Sequence, residues 1–329
     1  SSKKTLSANI IKNSAHYGTA VPAFSSSITG FGREKEKANL SELLERNLAI
    51  IYGPSRVGKS SLLNYLANEY FDDYCKNSDR TSVIRIRIAD EQYSKNDYDN
   101  NILTDGELLH FENSTQIMQY LFCAPLQVAF SDIAPIKKNG MCKTAISEYT
   151  ESMRSEIMNV LLQKGNVIEK YHLISRILEN YNSEIWLLFD EFQMIVKKWV
   201  GDANELAELC SYIHYIQDSG NIKIVFCGSD ELVRIFECVH DDNWSEFKIK
   251  TEETWVFIGQ LSEIDFAAMM NDRSIWETLP NGMPWNLSTD SDKNISPVLH
   301  SLYWYTGGNA ICGKIFGEEL LQKVKQNDF

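Results

Sequence analysis

One short segment has the residue types and the spacing of a phosphate-binding loop. A glycine is followed, four residues later, by Gly-Lys-Ser, and the complete segment is Gly53-Pro54-Ser55-Arg56-Val57-Gly58-Lys59-Ser60. Glycines let the backbone curl so that successive N–H groups point at phosphate oxygens. A helix that begins directly after the loop adds the positive end of its dipole. The segment therefore predicts binding of a nucleoside triphosphate, and ATP is the expected nucleotide.

Two side chains of this segment have distinct expected roles. The Lys59 ammonium would reach the β- and γ-phosphates, so Lys59 is a candidate for catalysis as well as binding. The Ser60 hydroxyl would ligate Mg²⁺. The rest of the segment and the adjoining Ser61 complete the predicted nucleotide-binding set. A glycine-rich turn without a ligand is the alternative, but the apolar strand before the segment and the helical pattern after it favour the functional interpretation.

Two acids close a later apolar strand. The run Ile185-Trp186-Leu187-Leu188-Phe189 is followed directly by Asp190 and Glu191. In enzymes with a phosphate-binding loop, an acid at this place holds the metal. A second acid can orient and deprotonate the attacking water. We therefore predict Asp190 as a Mg²⁺ ligand and Glu191 as the catalytic base, with an ordinary strand-to-loop transition as the alternative.

A polar residue also follows the next apolar strand. The run at 222–227 ends in Gly228-Ser229-Asp230. A hydroxyl at this place could sense the γ-phosphate or position the water, so Ser229 is a third catalytic candidate. The alternative is a turn residue that caps the next helix, since Ser and Asp are favoured caps.

Strands and helices alternate around these motifs. This order implies a parallel sheet covered on both faces by helices. The predicted fold class is α/β, a three-layer αβα core of the P-loop NTPase type, followed by a small all-helical lid domain. We predict strands at 48–52, 82–88, 185–189, 222–227 and 254–258, and helices at 33–46, 59–70, 113–131, 144–180, 202–218 and from 263 onward, with a loop near 280–296.

The predicted domains follow from this order. Residues 1–30 are polar and small, and form an extended lead-in segment. The ATPase core covers 31–260, with a helical insertion around 90–180. The lid covers 261–329.

Composition limits the partners. The chain of 329 residues has a formal net charge of −13. That balance argues against a broad nucleic-acid surface, which needs clustered Lys and Arg. No apolar run reaches the roughly 18 residues that a membrane helix needs. Neither the seven cysteines nor the six histidines have metal-ligand spacing. We expect a cytoplasmic protein with reduced thiols and no membrane partner.

Five motifs, in this order, resemble those of the AAA+-related P-loop ATPases of the STAND and origin-recognition-like group. The similarity extends over about 20–329. The segments that carry it are Phe31-Gly32-Arg33-Glu34, the loop at 53–60, the strand and acids at 185–191, Cys227-Gly228-Ser229 and Thr306-Gly307-Gly308-Asn309-Ala310. The resemblance implies that Phe31 and Arg33 lie near the nucleotide. It also implies that Gly308 and Asn309 belong to a lid over the nucleotide.

Two features depart from the family pattern. The lid motif of the family often ends in Pro, where this chain has Ala310. No Arg occupies a clear finger position after the fourth strand, because Arg234 fits a helix surface instead. Without an arginine finger, hydrolysis is expected to be slow.

The leading hypothesis is a nucleotide-dependent conformational switch that binds ATP and hydrolyses it slowly. Such a switch would be part of a larger multidomain signalling or defence protein, with ATP, ADP, other protein domains or a second copy of the chain as partners. One alternative is an oligomeric ATPase that acts on DNA as an origin-recognition or transposition-like loader. Another is a scaffold that binds nucleotide without hydrolysing it.

Overall fold

The computed structural model describes most of the predicted motifs. The lead-in segment, Phe31 and Arg234 lie outside the described residues. The described residues are 33–45, 47–67, 81–89, 102–104, 113–130, 142–144, 151–197, 202–218, 220–233, 255–271 and 295–325.

The chain divides into two compact units, which we describe separately. The sheet unit comprises 35–53 and 65–257. The helical unit comprises 1–34, 54–64 and 258–329. Residues 54–60 of the predicted phosphate-binding loop therefore belong to the same unit as residues 258–329, and Gly53 belongs to the sheet unit.

The sheet unit is built on a mainly parallel sheet. Its strand order is β3-β2-β5-β6-β1-β7, and every pairing along this path is parallel. Strand β4 pairs with β2 in the antiparallel direction, so the prediction of a parallel sheet holds for all described strands except β4. The strands are β1 (Leu48–Tyr52), β2 (Thr81–Ala89), β3 (Ile102–Thr104), β4 (Cys142–Thr144), β5 (Glu184–Asp190), β6 (Ile222–Cys227) and β7 (Trp255–Phe257).

All five predicted strands are confirmed, and the α/β class with them. Strands β3 and β4 were missed because neither three-residue segment lies in a longer apolar or alternating run, whereas the three residues of β7 lie in the apolar run that predicted a strand at 254–258. Their positions correct two predictions. Strand β3 lies within the predicted helical insertion around 90–180, and Thr144 of β4 lies at the start of the predicted helical stretch 144–180.

The core of the sheet unit is apolar and rich in aromatic rings. All six residues of β6 are buried, as are Ile185–Asp190 of β5. Phe189 packs against Phe226 with ring centroids 5.4 Å apart, and Phe192 packs against the same ring at 4.0 Å. The described helices of this unit are α1 (Glu34–Leu44), α3 (Ser114–Phe130), α4 (Glu151–Leu162), α5 (Val167–Asn180), α6 (Gln193–Lys197) and α7 (Ala203–Gln217), whereas α2 (Lys59–Tyr65) belongs to the helical unit except for Tyr65.

The helical unit has its own small core. Helices α8 (Glu263–Asn271), α9 (Pro297–Thr306) and α10 (Ala310–Lys325) bury Phe266, Met270 and Leu302 between them. Ser262 caps α8, since its Oγ accepts the Asp265 N–H at 3.2 Å. Over the part of the chain that the structure describes, no helix is long and apolar enough to cross a membrane.

Candidate functional site

The predicted loop has the expected strand–loop–helix setting. Strand β1 ends at Tyr52, and α2 begins at Lys59. The Leu62 N–H donates to the Gly58 oxygen at 3.0 Å, which starts the helix at the end of the loop. Gly58 has φ +99°, and a Cβ added there would meet nothing within 4 Å. The requirement for glycine at this position is therefore conformational and not spatial.

The Lys59 side chain closes the loop on itself. Its Nζ donates to the Pro54 oxygen at 2.7 Å, and the residue is only 8% exposed. Ser60 and Ser61 are half-buried on the same helical turn. Ser55 and Arg56 are exposed at the tip of the loop, and Arg56 has φ +65°, a conformation uncommon for a residue with a side chain. The ammonium and the curled backbone thus form a compact turn with an exposed tip.

Arg33 forms hydrogen bonds with the main chain of the same loop. Its Nη2 donates to the Val57 oxygen at 2.9 Å and to the Gly259 oxygen at 2.6 Å, and the residue is 6% exposed. Val57 is itself buried. These contacts account for a buried arginine without a nucleotide, because a buried charge requires hydrogen-bond partners.

The two predicted acids lie at the carboxyl edge of the sheet. Strand β6 pairs in parallel with β5 on one side and with β1 on the other, with Phe226 opposite Phe189 and Cys227 opposite Ile51. Adjacent strands are about 4.8 Å apart, so β5 and β1 are separated by about 10 Å. Asp190, which ends β5, and Gly53, which follows β1, therefore lie at one edge. In open parallel sheets this is the edge at which ligands bind.

Glu191 sits in an unusual backbone conformation. Its φ is +60°, in the left-handed region that residues other than glycine seldom adopt. Two hydrogen bonds support the turn: the Met194 N–H donates to the Glu191 oxygen at 3.0 Å, and the Phe192 N–H donates to the Cys227 oxygen at 2.8 Å. Such conformations concentrate at functional sites, where the surrounding structure imposes them. The turn lifts Glu191 out of the strand, while Asp190 stays buried.

Gln193 is a polar residue of this site that the sequence analysis missed. Its Nε2 donates to Glu191 Oε2, and its Oε1 accepts the Ser229 N–H at 3.1 Å. A Cβ on Gly228 would lie 2.7 Å from that Oε1, so a side chain at this position would force the amide to shift. No sequence signal could have found this contact, because a single Gln two residues after an acid has no periodic pattern and Gly228 lies on another strand connection.

Ser229 is placed between the acids and a surface ion pair. Its Oγ donates to Glu231 Oε2 at 3.4 Å, and Glu231 pairs with Lys197. Its main-chain oxygen accepts the Leu232 N–H at 2.9 Å. This last bond fits the alternative interpretation of Ser229 as a turn residue. The hydroxyl remains half-buried at the carboxyl end of β6.

Gly308 and Asn309 have structural roles within the helical unit. Gly308 has φ +76°, its oxygen accepts the Leu261 N–H at 3.1 Å, and a Cβ on it would lie 2.4 Å from the Leu261 oxygen. The Asn309 Oδ1 accepts the N–H groups of Ile311 and Cys312 at 3.1 and 3.0 Å, which caps α10. Close packing and capping therefore explain both residue types without a ligand.

The sequence matches the family described as an ATPase domain predominantly from Archaea, over residues 31–311. The chain belongs to this ATPase family. The matched range contains the loop, both acids, Ser229 and the lid motif, so the family assignment covers every described candidate residue. No curated protein is similar to this sequence at a significant level.

Several solved structures are similar to this member of the ATPase family. Aeropyrum pernix ORC1 in complex with DNA is 13% identical, covers 88% of this chain and has a TM-score of 0.46. Aeropyrum pernix ORC2 in its ADPNP–ADP complexes is 13% identical over 72% of this chain, with a TM-score of 0.39. PCH-2 from C. elegans is 14% identical over 74% of this chain, with a TM-score of 0.31. This chain spans only 60%, 50% and 44% of those three chains.

Proposed function

We propose that this chain is an AAA+-like ATPase that works as a nucleotide-dependent conformational switch, with ATP bound on the loop at 53–60. The observation that carries the proposal is the loop itself, which is closed by the Lys59 ammonium and follows directly after a central parallel strand. Family membership supports the ATPase activity. The role as a switch, and a place in a larger signalling or defence protein, go beyond that membership.

The Lys59 ammonium changes its hydrogen-bond partners when ATP binds. In the structure its ammonium donates to a main-chain oxygen of its own loop. A phosphate oxygen is a stronger acceptor for an ammonium, because both partners are then charged. On binding of ATP, Lys59 exchanges the Pro54 oxygen for the β- and γ-phosphates, while the loop N–H groups take the remaining phosphate oxygens. The loop therefore needs little rearrangement to accept the nucleotide.

The same proposal assigns the metal and the base. Mg²⁺ is held through few protein ligands and through the phosphates, and it prefers oxygen donors. The Ser60 hydroxyl and the buried Asp190 carboxylate are such donors, and we propose them as its ligands. When bound, Mg²⁺ would neutralise charge that develops on the phosphates. Glu191, raised out of the strand by its turn, is the proposed base that orients and deprotonates the attacking water, and Ser229 the residue that senses the γ-phosphate.

Binding is tested first on Lys59→Ala. Removal of the ammonium should weaken the affinity for Mg·ATP by about tenfold or more, measured by calorimetry or with a fluorescent ATP analogue. Lys35→Ala is the matched control, because it removes the same charge from an exposed position on α1. Unchanged affinity in Lys59→Ala would contradict the assignment of the site.

Turnover is tested on Glu191→Gln, by phosphate release under conditions that saturate the wild-type chain with Mg·ATP. The variant should bind ATP and lose turnover, because the amide cannot accept a proton from water. Full turnover would rule out Glu191 as the base. A wild-type chain that binds ATP and releases no phosphate would support the scaffold alternative instead.

The switch is tested by limited proteolysis. The Glu191→Gln variant is digested with ATP, with ADP and without nucleotide. The three samples should give different cleavage patterns, and a difference between ATP and ADP would be due to the γ-phosphate alone. Identical patterns would leave an ATPase without a switch. The DNA-acting alternative predicts a gel shift that weakens with salt, and no shift at low salt would exclude it.

A further inference from the structure

We propose that Gln193 is a positioning residue that sets the orientation of Glu191 and couples it to the main chain at Ser229. This inference rests on the proposed function, in which Glu191 is the base. It assigns a role to a residue that is neither in the phosphate-binding loop nor in the pair of acids. The contacts that carry it lie entirely within the sheet unit.

The two ends of the Gln193 amide are distinguished by chemistry. A main-chain N–H can only donate, so the amide atom that faces the Ser229 nitrogen at 3.1 Å must be the oxygen. The amide nitrogen then faces Glu191 and donates to its Oε2. An amide normally leaves its oxygen and nitrogen ambiguous, but here the Ser229 N–H decides between them. Glu191 therefore receives a donor whose direction is imposed by the end of β6.

The Gln193 amide is buried in a space that Gly228 leaves open. Gln193 is 5% exposed, and the neighbouring Gly228 has no side chain to compete for its place. The Phe192 N–H donates to the Cys227 oxygen at 2.8 Å, which fastens the segment after Glu191 onto the end of β6. The amide is thus anchored to the main chain at Ser229, and the segment that carries it is anchored at Cys227. A buried side chain that is held in this way loses little further freedom when it orients a neighbour.

The consequence is a short chain of hydrogen bonds between two proposed functional residues. Ser229 contacts Gln193 through its N–H, and Gln193 contacts the Glu191 carboxylate. On its other side, Ser229 contacts Glu231, which is paired with Lys197. A displacement of the β6 terminus on nucleotide binding would therefore move the carboxylate of the base. The position of the Glu191 carboxylate is thereby coupled to the position of Ser229.

The experiment uses Gln193→Glu, which changes the amide to a carboxylate of nearly the same shape. One carboxylate oxygen still accepts the Ser229 N–H, but the other now faces Glu191 as a second acceptor. We expect turnover at saturating Mg·ATP to fall about tenfold or more, while the affinity for ATP stays within about twofold. Gln193→Met is the second variant: it fills a similar volume, loses both hydrogen bonds and should show the same split between turnover and affinity.

A charge-swapped pair tests the contact without relying on turnover. Gln193→Glu places two carboxylates side by side and should lower the melting temperature. The double variant Glu191→Gln with Gln193→Glu again joins an amide donor to a carboxylate and should recover most of that loss. Additive effects on the melting temperature would overturn the contact.

The two proposals fail in different ways. Wild-type turnover in both Gln193→Glu and Gln193→Met, together with lost turnover in Glu191→Gln, would overturn the role of Gln193 alone. Equal losses of affinity and turnover in both variants would also overturn it, because a positioning residue for the base should not weaken binding. Retained turnover in Glu191→Gln would overturn the base assignment, and the role of Gln193 with it.

Discussion

Arg33 and Val57, which lie 24 positions apart in the chain, are joined by a 2.9 Å hydrogen bond from the Arg33 Nη2 to the Val57 oxygen. The same nitrogen donates to Gly259 at 2.6 Å, so both of its hydrogens are used. The segment before the first helix thus holds the phosphate-binding loop from behind. This relationship is the role that the structure describes for the arginine, and its place near a nucleotide stays a prediction.

Arg33→Ala should therefore damage the loop and stability together. Loss of two charge-assisted hydrogen bonds at a buried position should lower the free energy of unfolding by about 2 kcal/mol and weaken ATP binding. Arg33→Lys should have a stability and an ATP affinity between those of the wild-type chain and Arg33→Ala, because an ammonium keeps the charge but lacks the planar fork of a guanidinium. Denaturant unfolding and calorimetry measure both effects. Wild-type stability in Arg33→Ala would show that the loop does not depend on this anchor.

Neighbouring glycines of the lid motif offer a matched pair. A methyl group on Gly308 would lie 2.4 Å from the Leu261 oxygen, whereas a methyl group on Gly307 would meet nothing within 4 Å. Both residues have positive φ, so Gly307→Ala should lower the free energy of unfolding by about 1 kcal/mol through backbone strain alone. Gly308→Ala should cost about 3 kcal/mol, because overpacking adds to that strain. Equal losses in thermal or denaturant unfolding would contradict the packing argument.

Gly228→Ala should disturb the site more than it disturbs the fold. The added methyl group would lie 2.7 Å from the Gln193 Oε1 and 3.1 Å from the Leu232 Cδ2, and the first of these atoms can move because it ends a flexible side chain. Turnover should fall at least about threefold while ATP affinity is kept. Gly220→Ala is the control, since a methyl group there meets nothing within 4 Å. Unchanged turnover in Gly228→Ala would show that the Gln193 amide can move away from the added methyl group without affecting the reaction.

Buried thiols should react slowly with alkylating agents. Burial raises the pKa of Cys210, and it raises the pKa of Cys123 although Lys170 acts in the opposite direction. A raised pKa leaves less thiolate at pH 8, and the thiolate is the nucleophile. Iodoacetamide should therefore modify Cys123 and Cys210 at least about tenfold more slowly than Cys312, which is only half-buried. Peptide mass spectrometry of the native chain measures the three rates, and equal rates would contradict the burial.

Long elements and local motifs were predictable because their signal lies in consecutive residues. Strands β1, β5 and β6 are mostly apolar and at least five residues long, and each is followed by or ends in residues that a strand does not favour. Strands β3 and β4 have three residues each, lie outside any longer apolar run, and pair with β2. Propensity cannot decide so short a segment without an apolar run around it, since the partner strand supplies the hydrogen bonds.

The candidate site divides in the same way. The types and spacing of Lys59, Asp190 and Glu191 follow from the sequence, and so does the place of the two acids at the end of a strand. The family resemblance implies a place near the nucleotide for Arg33, Gly308 and Asn309. The structure shows contacts for each that need no nucleotide: a loop anchor, a close packing position and a helix cap.

The sequence by itself determined the type and spacing of the residues at 53–60, the strands that precede the candidate residues and the two acids at the end of β5. Only the tertiary structure decided that β6 lies between β1 and β5, because any parallel strand can pair with several others until the packing of side chains selects one neighbour. That order brings Ser229 to Gln193, and through Gln193 to Glu191. The contact joins residues from two strand ends, and no pattern within either strand encodes it.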